Sequence, residues 1–162
     1  PNHMGVLDAP NPWWDDVMEH GRASAYAGFF DIEWEPATAN LQGRVLLPML
    51  GGQYGQVLEA GELRLDFDAE AGKFFVRYWD HRLPVDPRHY ARIFGAVPAP
   101  ATGAESDGDS ALQVQSLVDA FGRLPDRDTS DDAERAMRMR DAPLHQRRLA
   151  ELAAAHAWVR QW

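Results

Sequence analysis

The strict alternation of apolar and polar residues in Glu62–Phe67 constrains the fold of this chain more than any other feature. Leu63, Leu65 and Phe67 alternate there with Glu62, Arg64 and Asp66. A period of two matches a strand with one face buried and the other in water, and it does not match a helix. The short segment Asp68–Gly72 separates this run from a second one, Phe74–Trp79. The two runs together predict an antiparallel β-hairpin.

A helix is predicted near the start of the chain. Asn11 can cap free N–H groups, Pro12 suits the first helical position, and Asp15 and Asp16 face the positive end of the helix dipole. Gly21 then closes the helix.

The remaining segments predict more strands in the first hundred residues and helices after them. Residues 29–34 (FFDIEW) and 44–50 (RVLLPML) are short apolar runs typical of strands. Residues 95–109 are rich in proline, glycine and small polar residues, which indicates a loop or linker. The predicted fold class is therefore α+β, with short antiparallel strands followed by helices.

Three helices are predicted after the linker. The first is capped by Asp109 or Ser110 and is stopped by Gly122 and Pro125. The second begins at the capping-box spacing of Thr129 and Asp132. The third restarts at Pro143 and runs to Trp162 without a stop signal.

Composition limits the classes of function. The chain has 162 residues, 45% of them hydrophobic, which is enough for one domain with a core. Its formal net charge of -9 opposes binding to nucleic acid or to anionic membrane surfaces. Cysteine is absent, so disulfides, thiolate metal sites and thiol nucleophiles are excluded.

The segment Asp80-His81-Arg82 is the best-placed candidate site, because it follows the second predicted hairpin strand. Loops at strand ends carry binding groups disproportionately often, and Pro84 and Pro87 stiffen this one. Two interpretations stay open, a salt-bridged strand end and a group of ligand contacts.

Two other groups invite a functional interpretation. Asp16, Glu19 and His20 have a spacing that could hold a divalent metal, but no further ligands complete a site, so a solvated helix face is preferred and no metal is predicted. Seven aromatic residues could form sugar-stacking platforms, and we assign five of them to the core. They are Trp13, Trp14, Tyr26, Trp34, Tyr54, Tyr78 and Trp79.

The first residues, PNHM, have two interpretations. Taken alone, the four letters favour linker residues left by cloning. The functional alternative is that Asn2 and His3 sit at the C-terminal end of a strand, where barrel enzymes keep active-site groups.

Longer stretches of the chain resemble the maltooligosyltrehalose synthases of the α-amylase superfamily. The resemblance is carried by PNHMGVLDAPNPWWDDVMEHGRASAYAGFFDIEWEP, by GRVLLPMLGGQYGQVLEAGELRLDFDAEAGKFFVRYWDHRLPVDP and by RDAPLHQRRLAEL. It implies that PNHM is native sequence at the end of the third barrel strand. His3 would then help to bind the glucose at the cleavage subsite, Asn2 would brace its loop, and Asp80 and His81 would contact substrate.

The resemblance also implies a reaction. The family converts the reducing-end α-1,4 bond of a maltooligosaccharide into an α,α-1,1 bond, which is an isomerisation in trehalose biosynthesis. Such retaining chemistry requires two carboxyl groups about 5 Å apart. In the family both lie on later barrel strands, so we expect no catalytic residue in this chain and expect it to be inactive alone. The family implies no cofactor, a maltooligosaccharide partner and a cytoplasmic location.

The resemblance implies three regions in what would be an internal fragment of an α/β (β/α)8 barrel enzyme. Residues 1–4 would end a barrel strand, residues 5–95 would form an inserted α+β subdomain, and residues 96–162 would form a helical region cut in mid-helix. Apolar surface exposed by truncation would favour self-association. The alternatives are a non-catalytic carbohydrate-binding module and a protein-interaction module.

Overall fold

The computed structural model describes residues 6, 10–45, 47–96 and 108–161, and in these ranges the fold is α+β, as predicted. The strands are β1 (Leu63–Asp68), β2 (Lys73–Tyr78) and β3 (His81–Pro84). The helices are α1 (Pro12–His20), α2 (Tyr54–Glu59), α3 (Tyr90–Ala96), α4 (Gly108–Gly122), α5 (Asp132–Ala155) and α6 (Ala157–Arg160). Short 3₁₀ turns occur at Gly21–Ala23, Ala27–Phe29, Ala39–Leu41 and Pro87–His89.

The predicted hairpin is confirmed to within one residue at each strand end. β1 and β2 are antiparallel, with Leu63 opposite Tyr78 and Asp68 opposite Lys73. The sequence analysis missed the third strand, β3, which pairs antiparallel with β2 and extends the sheet in the order β1-β2-β3. Its four residues, HRLP, have no alternating pattern, and its existence depends on the edge that β2 offers.

The burial expected for the β1 apolar face is only partly observed. Phe67 packs against the core, whereas Leu65 is 52% exposed. β1 is an edge strand, and the helices of the core lie under the Phe67 end of it. The alternating pattern of Glu62–Phe67 therefore predicted the strand correctly, but it predicted burial for Leu65, which is exposed.

The two other predicted strands are wrong. Phe29 ends a 3₁₀ turn, and residues 30–34, like the described residues of 44–50, form no strand. Phe30 instead packs edge-to-face on Trp14 of α1, with ring centroids 5.0 Å apart. Such a segment needs a strand partner to remain extended in a sheet. Here Phe30 packs on α1 instead, while Phe29 stays exposed. Pro48 also lacks the N–H that a ladder requires.

The main core lies between the sheet and helices α3, α4 and α5. Phe74 is almost fully buried, and its ring lies 4.9 Å from that of Tyr90 and 5.6 Å from that of Phe94. Tyr90 in turn contacts Phe121 of α4 at 4.8 Å. Leu149 of α5 is fully buried in the same cluster. One hydrophobic core therefore joins the hairpin to the helical part of the chain.

The first helix is as predicted, and the later helices begin elsewhere than predicted. The Asn11 side chain accepts hydrogen bonds from the N–H groups of Trp13 and Trp14, at 3.1 and 3.2 Å, and α1 ends at Gly21. α4 already includes Gly108, so the Asp109 or Ser110 cap is wrong, and Ser110 is buried within the helix. The predicted linker is helical at both ends, and its residues 97–107 lie outside the described ranges.

Helix α5 corrects two predictions. Its N-cap is Asp131, whose carboxylate accepts from the N–H groups of residues 133 and 134, rather than Thr129, which instead hydrogen-bonds Glu134 at 2.5 Å. Pro143 lies inside α5 and does not start a new helix. Pro143 is exposed while the core-facing side of α5 is buried around it, so packing holds the helix together across the missing hydrogen bond. The helix breaks at His156, where the backbone is extended, instead of running to Trp162, which lies outside the described ranges.

Candidate functional site

The candidate site is built around the turn between β2 and β3. Tyr78 pairs with His81, so Trp79 and Asp80 form a two-residue hairpin turn. Tyr78 is buried, and its hydroxyl accepts a hydrogen bond from the Gly51 N–H at 2.9 Å. The buried Tyr78 therefore fixes the base of a turn whose two central residues are exposed.

The turn borders a cleft of about 680 Å³ between the sheet and α1. One wall comes from α1 and the residues before it, and the other comes from β2, the turn and β3. The residues lining it are Val6, Pro10, Asn11, Trp14, Asp15, Met18, Phe75 and residues 79–84. Aromatic rings from both walls and several polar side chains thus face one space.

Buried polar contacts hold α1 against the sheet and α5. Glu19, at the end of α1, is buried and pairs with Lys73 of β2 at 2.7 Å. Its second carboxylate oxygen accepts from the side chain of Gln146 on α5. The buried Arg138 guanidinium, also on α5, donates to the Glu19 carbonyl oxygen at 3.2 Å and to Asp86 at 2.7 Å. These contacts position the α1 wall of the cleft.

The sheet wall carries a fixed positive charge. The Arg82 guanidinium lies over the Phe75 ring, 4.1 Å from its centroid, and donates to Asp68 at 3.1 Å. The charge of Arg82 is therefore held in place by a cation–π contact and an ion pair.

A carboxyl group of altered acidity lies on the α1 wall. Asp15 is exposed, but partial burial raises the pKa of its carboxyl group, and the neighbouring Glu19 carboxylate raises it further. The cations of Lys73 and Arg82 act in the opposite direction and do not cancel the effect. Asp15 is thus a carboxyl group that holds its proton to a higher pH than an ordinary aspartic acid.

This arrangement suits a neutral polyhydroxylated ligand. Trp79 supplies an exposed flat apolar surface, which matches the C–H face of a sugar ring, whereas Arg82 covers one face of the Phe75 ring. Asp15, Asp80 and His81 supply acceptors and donors for hydroxyl groups. The described residues contain no group of three or more histidines and carboxylates close enough to hold a metal ion.

Two of the four predicted substrate-contacting residues, Asp80 and His81, lie together in the cleft. Asn2 and His3 lie outside the described residues, so their predicted roles stay predictions. The sequence analysis did not identify Asp15 and Phe75 as residues that line this cleft. Each lies in an ordinary helix or strand pattern, and no local signal in the sequence indicates that the packing of α1 on β3 brings them together.

The spacing of Asp16, Glu19 and His20 does not produce a shared site. Asp16 accepts a hydrogen bond from the Ser24 hydroxyl, and Glu19 pairs with Lys73. His20 is buried, and burial lowers its pKa to about 4. The three side chains therefore have separate partners or surroundings. The sequence analysis preferred a solvated helix face for these three residues. That interpretation is wrong for Glu19 and His20, which are both 3% exposed.

The assignment of five of seven aromatic residues to the core is wrong. Only Trp14 and Tyr78 of the seven are buried, while Tyr26 and Trp34 are half-buried. Trp13, Tyr54 and Trp79 are exposed, at 46%, 64% and 71%. Aromatic rings on a helix or strand were expected to point to the core, but this chain places several on its surface.

Comparison with known proteins supports the predicted resemblance. Over 88 residues the chain is 42% identical to proteins named "Putative maltooligosyl trehalose synthase" from two strains of Mycobacterium tuberculosis. The resemblance predicted from the sequence is confirmed over this stretch. The match covers 54% of this chain and 10% of each relative, so the chain matches about a tenth of the length of these curated relatives.

Two other comparisons give no match. No family model matches the chain, and no solved structure matches it. Among the helices in the described ranges, none combines the length and the apolar character that crossing a bilayer requires.

Proposed function

We propose that this chain is a segment of an enzyme that converts the reducing-end α-1,4 bond of maltooligosaccharides into an α,α-1,1 bond, and that its cleft forms part of the substrate-binding surface. The proposal rests on one observation. The cleft of a chain that resembles trehalose-forming enzymes is lined by Trp79, Asp80, His81 and Arg82. The cleft alone would not support this function, because aromatic clefts bind many ligands. The resemblance alone would not assign substrate binding to this cleft.

The reaction class determines what this segment can contribute. A retaining isomerisation needs a nucleophilic carboxylate and a second carboxyl group that acts as acid and base. We propose that both lie in other parts of the enzyme, so that the 162-residue chain is inactive by itself. We propose a cytoplasmic location for the enzyme, by resemblance alone.

The proposed role of the cleft is to hold sugar and exclude water. A glucosyl intermediate can be captured either by the released glucose, which gives the isomerised product, or by water, which gives hydrolysis. Asp80 and His81 would hold sugar hydroxyl groups at this wall, which keeps the acceptor sugar in place and reduces access for water. The predicted binding of glucose by His3, with Asn2 bracing its loop, belongs to the same proposal.

The test is the ratio of isomerisation to hydrolysis in the complete enzyme that carries this segment. We expect Asp80→Ala and His81→Ala each to lower this ratio by about 2- to 10-fold, which corresponds to the loss of one or two hydrogen bonds. Both side chains lie at the surface of the cleft, so the substitutions should leave the fold intact. The products to quantify are the trehalose-terminated oligosaccharide and free glucose.

Matched controls come from exposed residues that do not line the cleft. Asp119→Ala on α4 and His89→Ala after β3 remove the same side-chain types elsewhere. We expect neither to change the ratio. An unchanged ratio in both cleft variants would count against the proposed role.

A further inference from the structure

Trp79 has a backbone conformation that its residue type disfavours. Its φ is 50°, and it is the one non-glycine residue with positive φ in the described part of the chain. In this left-handed region the Cβ atom crowds the backbone, so glycine, asparagine or aspartate would be the ordinary choice in such a turn. A bulky aromatic residue here needs another explanation.

Burial does not supply that explanation. Trp79 is 71% exposed, so its indole gains little from the hydrophobic effect. Its position is nevertheless defined. The indole Nε1 donates to the Glu62 carboxylate at 3.3 Å, and the ring lies edge-to-face with Tyr78 at a centroid distance of 6.5 Å. An exposed ring is therefore held in place by Glu62, which directly precedes β1, and by the anchored Tyr78.

The ring and its neighbours match the two surfaces of a pyranose. Trp79 lines the cleft next to Asp80 and His81, the next two residues of the chain. A glucose unit that stacks its C–H face on the indole would direct its hydroxyl groups sideways, toward such polar side chains. The Glu62 carboxylate already accepts the hydrogen bond of the indole N–H, so the ring face is the part of Trp79 that a ligand can contact.

We infer that Trp79 is a sugar-stacking platform, and that the turn keeps its strained conformation in order to present this ring to the cleft. The inference rests on the proposed function, because it assigns to Trp79 the binding of one glucose unit of the maltooligosaccharide. Trp79 acts in binding and in positioning, and takes no part in bond cleavage.

The deciding variant is Trp79→Gly, because glycine accepts positive φ and has no ring. For the 162-residue chain we expect the midpoint of urea unfolding to rise, since the backbone strain is relieved. In the complete enzyme we expect KM for maltopentaose to rise about tenfold, with kcat changed less than about twofold, because the ring binds substrate and transition state alike. If Trp79 had a structural role alone, Trp79→Gly would lower the midpoint of urea unfolding instead.

Further variants keep the inference testable if the glycine variant folds poorly. Trp79→Asn tolerates the left-handed conformation and should show the same rise in KM. Trp79→Phe keeps an aromatic face and should retain a KM close to that of the parent enzyme. Trp13→Ala removes an exposed tryptophan that does not line the cleft, and should leave KM unchanged.

Two outcomes separate this inference from the proposed function. If Trp79→Gly or Trp79→Asn folds and binds maltopentaose with unchanged KM, the platform is refuted. The proposed function survives that result when Asp80→Ala and His81→Ala still lower the ratio of isomerisation to hydrolysis. If none of these variants alters either quantity, both proposals fail.

Discussion

Arg138 shows how single residues hold this structure together. Its side chain is fully buried and donates to the Asp86 carboxylate at 2.7 Å and to the carbonyl oxygens of Pro125 and Glu19 at 2.9 and 3.2 Å. One guanidinium therefore joins α5 to the end of α1 and to two connecting segments. A buried charge of this kind is tolerated because each partner is itself fixed by the fold.

We predict that Arg138→Ala lowers the free energy of unfolding by about 3 to 5 kcal/mol, since it leaves the Asp86 carboxylate buried without its partner. Urea unfolding of the full chain measures the loss. Arg140→Ala is the matched control on the same helix, because Arg140 is exposed and pairs only with its neighbour Asp141 among the ion pairs found. A loss for Arg138→Ala as small as that of the control would contradict the role assigned to this network.

His20 links stability to pH. Burial, the largest cause, acts together with the Arg138 and Lys73 cations to lower its pKa from 6.5 to about 4, against the opposing effect of Asp16 and Asp86. Because the folded-state pKa lies below the ordinary value, the unfolded chain takes up a proton first as the pH falls. The contribution of His20 is therefore complete above pH 6.5 and is lost between pH 6.5 and about 4.

We predict that His20 accounts for about 3 kcal/mol of the stability lost over this pH interval. Unfolding free energies measured at several pH values should show a flatter profile for His20→Gln than for the parent chain. His89→Gln, at an exposed histidine, should leave the profile unchanged. Parallel profiles for His20→Gln and the parent would show that the histidine takes up its proton equally in both states.

At the scale of elements, the β1–β2 turn packs closely on α5. Gly72 has a φ of 64°, and a Cβ atom there would clash with the Gln146 carbonyl oxygen and lie 2.9 Å from the Ala150 backbone nitrogen. Both are backbone atoms of a helix, which cannot move aside as a flexible side chain can. The absence of a side chain at Gly72 is therefore what allows the hairpin and α5 to approach each other.

We predict that Gly72→Ala lowers the free energy of unfolding by about 3 kcal/mol or more, as the sum of backbone strain and overpacking. Gly61→Ala is a control with the same backbone requirement, because its φ is 69° and nothing lies within 4 Å of the added Cβ. It should cost about 1 kcal/mol through strain alone. Equal losses in the two variants, measured by urea unfolding, would show that the contact with α5 contributes nothing.

At the scale of the whole molecule, an exposed aromatic patch accompanies the acidic surface. Trp13, Tyr26 and Phe29 contact one another with ring centroids 5.5 to 6.2 Å apart. Trp13 is 46% exposed and Phe29 is 56% exposed. Contiguous apolar surface of this kind favours contact with other protein surface, whereas the net charge of -9 opposes self-association at low salt.

We predict that the 162-residue chain self-associates through this patch, and more strongly as added salt screens the repulsion. In sedimentation velocity, the double variant Trp13→Ser with Phe29→Ser should raise the dissociation constant by about tenfold or more. Leu144→Ser removes an exposed apolar residue elsewhere and should have no such effect. Association that is insensitive to the double variant would exclude the patch as the interface.

The hairpin and α1 were predictable because their signals are local. The alternation in Glu62–Phe67 and the cap at Asn11 depend on residues next to one another in the chain, and both features are confirmed. The α+β class follows from the same local signals. The resemblance to trehalose-forming enzymes was also visible in the sequence, since it depends on residue identities and their order.

Tertiary structure decided the rest. β3 exists because β2 offers an edge, and α5 continues through Pro143 because its core-facing side is buried. The cleft exists because α1 packs on β3, which brings Asp15 close to residues more than sixty positions away in the chain. These outcomes depend on free energy gained by packing and pairing between elements, whether adjacent in the chain as β2 and β3 are or distant as α1 and β3 are, and the residue pattern within one element does not report it. Residue order alone therefore determined the local elements and the family likeness, while packing decided which elements persist and where the candidate site lies.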